Sequence, residues 1–109
     1  MPRISTDREV LILTILIQGE RYGRAVRDEY ERRYQERLPL GSLYTTLDRM
    51  EGKGFIGSRR GEATPGRRGN RRKYFCISAP GTRALDEWQT RRMALSQMLH
   101  GQPIVEGGG

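Results

Sequence analysis

The spacing of apolar residues predicts two helices in the first third of the chain. Thr6 and Glu9 have the spacing of a capping box, so a helix should start at Thr6 and continue through the apolar run 10–17. A second helix should span residues 22–37, where a tyrosine or valine recurs at every fourth position and opposite charges alternate on the other side. The first of these helices is predicted to be the centre of the core, because its apolar run would be buried on more than one side.

A third helix is predicted from Pro39 to about Gly52, with two distinct faces. Its apolar face consists of Leu43, Leu47 and Met50. Its opposite face carries Ser42, Thr45, Asp48 and Arg49. A helix with small polar and basic residues facing outward fits the major groove of duplex DNA, so Ser42, Thr45 and Arg49 are candidate groove-facing residues.

Two short strands should follow, at residues 55–60 and 73–77. In the second strand, Phe75 and Ile77 fall on one face, and Tyr74 and Cys76 fall on the other. The lone cysteine, Cys76, is expected to be a buried thiol. The two strands and the loop between them predict a β-hairpin.

A last helix is predicted to begin at Ser78, with Pro80 in its permissive first turn, and to end at Gly101. Its apolar positions form an imperfect seam, made of Leu85, Trp88, Leu95 and Leu99. A chain of 109 residues has a thin core, and pairing with a second copy through this seam would bury more surface. Trp88 fits either the core of such a dimer or a stacking wall for a ligand between subunits.

Positive charge is concentrated in the hairpin loop. The formal net charge of the chain is +7, and residues 59–73 hold seven Lys and Arg against one Glu. This stretch is rich in Gly, Pro, Asn and Thr, which favour a loop. Such a concentration predicts contacts with a polyanion, most simply the phosphates of nucleic acid. The candidates are Arg67, Arg68, Arg71, Arg72 and Lys73.

The predicted fold class is mainly α with a small β component (α+β): a winged helix-turn-helix with a two-stranded basic wing and a C-terminal dimerisation helix. Residues 1–78 would form the DNA-binding domain, 79–100 the dimerisation helix, and 101–109 a flexible tail. The second and third helices would be the helix-turn-helix, with the third as recognition helix.

Several function classes lack support in the sequence. There is no phosphate-binding loop with its lysine, no nucleophile paired with a base, and no metal-ligand spacing around the single histidine, His100. We therefore expect no enzyme activity, no cofactor and no metal. No apolar run approaches the ~20 residues that span a membrane, and the start of the chain lacks the features of a signal peptide, so a cytoplasmic location is expected.

Six short segments, in order along residues 10–85, resemble the PadR-like family of bacterial transcriptional regulators. They are Tyr-Gly at 22–23, Leu-Gly-Ser-Leu-Tyr at 40–44, Leu-Asp-Arg-Met-Glu at 47–51, Gly-Phe-Ile at 54–56, Arg-Lys-Tyr-Phe at 72–75 and Ser-Ala-Pro-Gly at 78–81. The single C-terminal helix is similar to that of the smaller subgroup of the family. The chain departs from the family pattern at Arg24, where a tyrosine is frequent, and at Pro39, where a capping serine is common.

The resemblance implies a homodimer that binds a pseudo-palindromic operator in double-stranded DNA, with the last helix at the dimer interface. We expect it to repress a nearby operon. It implies phosphate contacts for Tyr44 and Tyr74. Some members release DNA on binding flat apolar ligands, so the resemblance also allows a small apolar effector for this chain. Two alternatives remain: a ligand-sensing or protein-interaction winged helix, and single-strand or RNA binding, which would need aromatic residues that 59–73 lacks.

Overall fold

A computed structural model describes residues 2–61 and 72–101. The elements, in chain order, are α1 (Asp7–Leu16), β1 (Arg21–Tyr22), α2 (Gly23–Tyr34), α3 (Leu40–Gly52), β2 (Ile56–Arg60), β3 (Lys73–Ile77) and α4 (Ala79–His100). The order of three helices, a hairpin and a long last helix confirms the predicted winged-helix architecture. The hairpin loop 62–71 and the predicted tail from residue 102 onward lie outside the described residues.

Helix α1 lies at the centre of the core, as its apolar run predicts. The hydroxyl of Thr6 accepts a hydrogen bond from the Glu9 N–H, which confirms the predicted N-cap. The carboxylate of Glu9 accepts from the Ser5 N–H rather than from Thr6. The side chains of Ile12, Leu13 and Ile15 are fully buried, and α1 contacts every other helix.

Helix α2 begins one residue later and ends three residues earlier than predicted. Tyr22, expected on the apolar stripe of the helix, instead pairs with Tyr74 as part of the two-residue strand β1. Val26 and Tyr30 are buried as expected. The helix ends at Tyr34, and its C-cap, Gln35, has a φ of 54° in the left-handed region.

The sheet has three antiparallel strands in the order β1-β3-β2, one more than the two-stranded wing that the sequence predicts. In the β2–β3 hairpin, Ile56 pairs with Ile77 and Arg60 with Lys73. Phe75 is buried, and Cys76 lies on the opposite face. The expectation of a buried thiol is therefore wrong, because that face of the central strand is open to solvent at Cys76.

Helix α4 is attached to the hairpin at its first turn. The hydroxyl of Ser78 accepts from the Gly81 N–H and donates to the Gly54 carbonyl, which confirms the predicted N-cap. A Cβ on Gly81 would lie 2.0 Å from the Phe55 carbonyl oxygen, so only glycine allows α4 to pack this closely. The α4 helix then ends at Gly101, with a φ of 68°.

Candidate nucleic-acid interface

Helix α3 has one buried face and one exposed face, as its sequence predicts. Leu43, Leu47 and Met50 have no exposed surface. On the opposite side of the helix, Ser42, Thr45 and Arg49 follow one another at intervals of about one turn. Thr45 and Arg49 are exposed, and Ser42 is half-buried. No side chain caps the start of the helix at Pro39. Its outward face thus offers hydroxyl groups, one guanidinium group and the carboxylate of the exposed Asp48.

The Arg49 side chain is held by a buried carboxylate. Its Nε donates to Glu9 Oε2 at 3.1 Å, and Lys53 Nζ lies 3.0 Å from the same oxygen. Burial alone would raise the pKa of Glu9, but hydrogen bonds from the Ser5 N–H, Lys53 and Arg49 outweigh it and hold this pKa below its usual value. The carboxylate is therefore ionised at neutral pH. The sequence gives no signal for this contact, because Glu9 and Arg49 are 40 positions apart.

Tyr44 lies at the junction of α3 with the start of α2. Its side chain is 41% exposed, and its ring packs against the backbone of Gly23. Arg24, Arg72 and Lys73 line the same cleft as Tyr44. The cleft therefore presents a phenolic hydroxyl among three cationic side chains and one carboxylate, that of Asp28. Its excess of positive charge suits a phosphate group.

Stacked aromatic and cationic side chains connect the wing with β1. The Arg72 guanidinium lies 4.2 Å from the ring centroid of Tyr22, which meets the Tyr74 ring edge-on at 5.9 Å. On the other side, Arg59 lies 5.0 Å from the Tyr74 centroid and forms an ion pair with Glu20 at 2.5 Å. These contacts fix the base of the wing against the start of α2.

The predicted phosphate contacts of the wing are only partly described. Arg72 is exposed, whereas Lys73 is half-buried and lies 3.9 Å from Glu51. Tyr74 is half-buried within the stack. Arg67, Arg68 and Arg71 belong to the hairpin loop, outside the described residues.

The four predicted seam residues of α4 separate into two groups. Leu85 is 3% exposed and belongs to the core of its own chain, and Trp88 packs partly against that core. Leu95 and Leu99 are 54% and 68% exposed, and the neighbouring Met98 is 82% exposed. The first three turns of α4 therefore pack on the core of their own chain, while the second half of the helix presents apolar surface that residues 2–61 and 72–101 do not cover.

Other classes of site find no support among the described residues. In residues 2–61 and 72–101, no group of three or more His, Cys, Asp or Glu side chains is placed to hold a metal ion. Across the same ranges, none of the helices combines the length and apolar character needed to cross a membrane.

The fold and the exposed face of α3 define a winged-helix protein. Residues 12–87 match the model of the transcriptional regulator PadR-like family, so the chain belongs to this family. Members of the family regulate transcription and are not enzymes, which confirms two expectations from the sequence. No curated protein matches the chain.

Solved structures agree with this assignment. The chain is 30% identical to a PadR family regulator from Clostridium difficile, with a TM-score of 0.65 over 84% of this chain and 96% of that one. A transcriptional regulator from Clostridium thermocellum gives 23% identity and a TM-score of 0.70 over 85% and 89%. Bacillus subtilis PadR, solved in complex with operator DNA, is 19% identical to the chain, with a TM-score of 0.67 over 95% of this chain and 54% of that one. The chain thus spans about half the length of the Bacillus protein.

Proposed function

We propose that this PadR-like regulator binds a specific pseudo-palindromic operator in double-stranded DNA as a homodimer and represses a nearby operon. The observation that carries the proposal is the polar face of α3, exposed directly opposite three fully buried apolar side chains. A relative of the same fold, Bacillus subtilis PadR, has been solved with operator DNA.

Base recognition is assigned to α3. Ser42, Thr45 and Arg49 would meet base edges in the major groove, and Arg49 would provide most of the discrimination, because a guanidinium can bind guanine with two hydrogen bonds. Exposure of Thr45 and Arg49 supports this role. Phosphate contacts are assigned to side chains beside α3 and on the wing: Tyr44, Arg67, Arg68, Arg71, Arg72, Lys73 and Tyr74.

Dimerisation is assigned to the second half of α4. The exposure of Leu95 and Leu99 supports an interface there, because contiguous apolar surface on a helix marks a contact with another chain. Two copies related by a two-fold axis would present two α3 helices to half-sites about one helical turn, or a multiple of it, apart. Trp88, half-buried with Arg92 5.6 Å from its ring centroid, would lie at the edge of this interface, where a flat apolar effector could stack.

Selection from random duplex DNA tests the proposal. The expected product is an inverted repeat, and a pool without one would refute the dimeric operator. Arg49→Ala should then lose discrimination at one symmetric pair of positions, by about 1–3 kcal/mol per half-site. Equal loss of affinity for every sequence would show instead that Arg49 contacts phosphate.

A further inference from the structure

Glu9 is the one acidic side chain among the fully buried side chains of the described residues. Its carboxylate receives hydrogen bonds from three directions: the Ser5 N–H at 2.5 Å, Arg49 Nε at 3.1 Å, and Lys53 Nζ at 3.0 Å and 3.1 Å. Two of these donors are on or next to α3. A buried carboxylate requires such partners, but two cations from the same end of one helix exceed the need for charge balance.

The two cations differ in what else they contact. Lys53 also donates to the Arg3 carbonyl at 2.8 Å and to the Ser5 hydroxyl at 2.6 Å, so it attaches the N-terminal segment to the end of α3. The Arg49 side chain has Glu9 as its only hydrogen-bond or ion-pair partner among residues 2–61 and 72–101. The side chain is 41% exposed beyond that contact. Only the Nε–H is used in this contact, so the four N–H groups on the two Nη atoms can still donate to a ligand.

We propose that Glu9 is a positioning residue for base recognition: it fixes the Arg49 guanidinium on the outward face of α3 before DNA binds. The proposal rests on the proposed base-reading role of Arg49. An arginine that is already ordered loses less conformational freedom when it meets its base. A mismatched base would not order the Arg49 side chain, so ordering it beforehand raises the affinity only for the correct sequence. The result is stronger discrimination between the operator and mismatched sequences.

The size of the effect follows from the freedom of one side chain. Immobilising a flexible side chain on binding lowers affinity by a factor of about two to ten. Glu9→Gln, which keeps the shape but removes the charge, should therefore lower discrimination at the position read by Arg49 by about two- to tenfold per half-site. Affinity for sequences mismatched at that position should stay within about twofold of the wild type, since Arg49 makes no base contact there.

Two variants separate positioning from stability and charge. Lys53→Gln disturbs the same buried carboxylate and the N-terminal segment but leaves the Arg49 contact, so it should lower the melting temperature and keep discrimination. Glu29→Gln removes a carboxylate that pairs with Arg32 and Arg33 on α2, so it controls for the change in net charge. Discrimination equal to that of the wild type is expected for both controls.

The experiment measures binding of each folded variant to the selected operator and to operators substituted at each position. Glu9→Gln should lose discrimination at the same positions as Arg49→Ala, and in the Arg49→Ala background it should cause no further loss. If Arg49→Ala loses discrimination but Glu9→Gln does not, positioning by Glu9 is refuted and base reading by Arg49 survives. If Arg49→Ala also retains discrimination, the base-reading role fails and the positioning role fails with it.

A measurement on the wild-type protein covers the case in which Glu9→Gln does not fold. The Nε–H of Arg49 should exchange with water about tenfold more slowly than that of Arg83, which is exposed on α4. Equal exchange rates in the protein without DNA would overturn the proposal, since the guanidinium would then not be ordered before binding.

Discussion

The ring of Tyr44 lies directly against the backbone of Gly23. A Cβ at Gly23 would lie 2.3 Å from the Tyr44 phenolic oxygen and 2.8 Å from its Cζ, so the ring occupies the space that any other residue would need. This packing places the Tyr44 side chain, which belongs to the proposed recognition helix α3, beside Arg24 and Arg72 in one cleft. Glycine at position 23 thus determines where the Tyr44 hydroxyl is presented.

Gly23→Ala should displace Tyr44 and weaken DNA binding for every sequence alike. The clash is only with atoms of the Tyr44 side chain, which is 41% exposed, so the ring can rotate away at little cost to the fold. Stability by thermal melting should therefore change little while affinity falls to the level of Tyr44→Ala. Gly52→Ala is the matched control, since nothing lies within 4 Å of a Cβ there. Wild-type affinity in Gly23→Ala would show that Tyr44 makes no DNA contact in this position.

Arg72→Ala should flatten the salt dependence of DNA binding. A phosphate contact contributes roughly −0.9 to the slope of log affinity against log salt concentration on duplex DNA. The wing variant Arg71→Ala with Arg72→Ala should show a larger change and equal weakening for all sequences. Arg32→Ala, on the exposed side of α2 beside Glu29, should leave the slope unchanged. A slope equal to that of the wild type in the double variant would remove these two residues from the phosphate contacts.

Leu95→Glu should convert the proposed dimer to monomers. The side chain is 54% exposed in the single chain, and burying its charge against a second α4 would be unfavourable. Sedimentation velocity at micromolar concentration measures the change. Thr90→Glu adds the same charge at an exposed polar position on another side of α4 and should remain dimeric. A wild-type protein that is already monomeric under these conditions would contradict the proposed interface.

Leu85→Ala should act on the fold of the single chain. Leu85 packs in the core with Phe55 and Ile56, so its truncation leaves a cavity. The expected loss in the free energy of unfolding is about 2–5 kcal/mol, measured by urea denaturation. Met98→Ala, at a position 82% exposed, should change it by less than about 0.5 kcal/mol when measured in the monomeric Leu95→Glu background. Similar losses in both variants would contradict the division of α4 into a core half and an exposed half.

The stability supplied by Glu9 should disappear in acid. Its pKa is lowered in the folded protein from an ordinary value of 4.5, so its carboxylate stabilises the fold fully above pH 4.5 and progressively less as the pH falls through the lowered pKa. Glu9→Gln should therefore be less stable than the wild type at pH 7, by about 1–3 kcal/mol, since a buried charged hydrogen-bond acceptor is lost. Urea denaturation at successive pH values should show this difference shrinking below pH 4.5. A difference that stays constant into acid would mean that the Glu9 charge does not stabilise the fold.

The local pattern of the sequence predicts most of the secondary structure. The caps at Thr6 and Ser78, the apolar face of α3 and the alternation in β3 depend on neighbours within a few positions, where helix and strand periodicity operate. The same periodicity predicts which face of α3 points outward. The ordered motifs from Tyr22 to Gly81 likewise identified the family.

Contacts between distant segments could be decided only by the tertiary structure. Tyr22 has the spacing of a helix residue, yet pairing with β3 makes it part of a strand. Leu85 and Leu95 have the same chemistry and share one helix, but only Leu85 lies over the core of its own chain. The contact from Glu9 to Arg49 joins two helices that the sequence separates by 40 positions. Periodicity determines the face of an element on which a residue lies, whereas the packing of elements determines what that face meets.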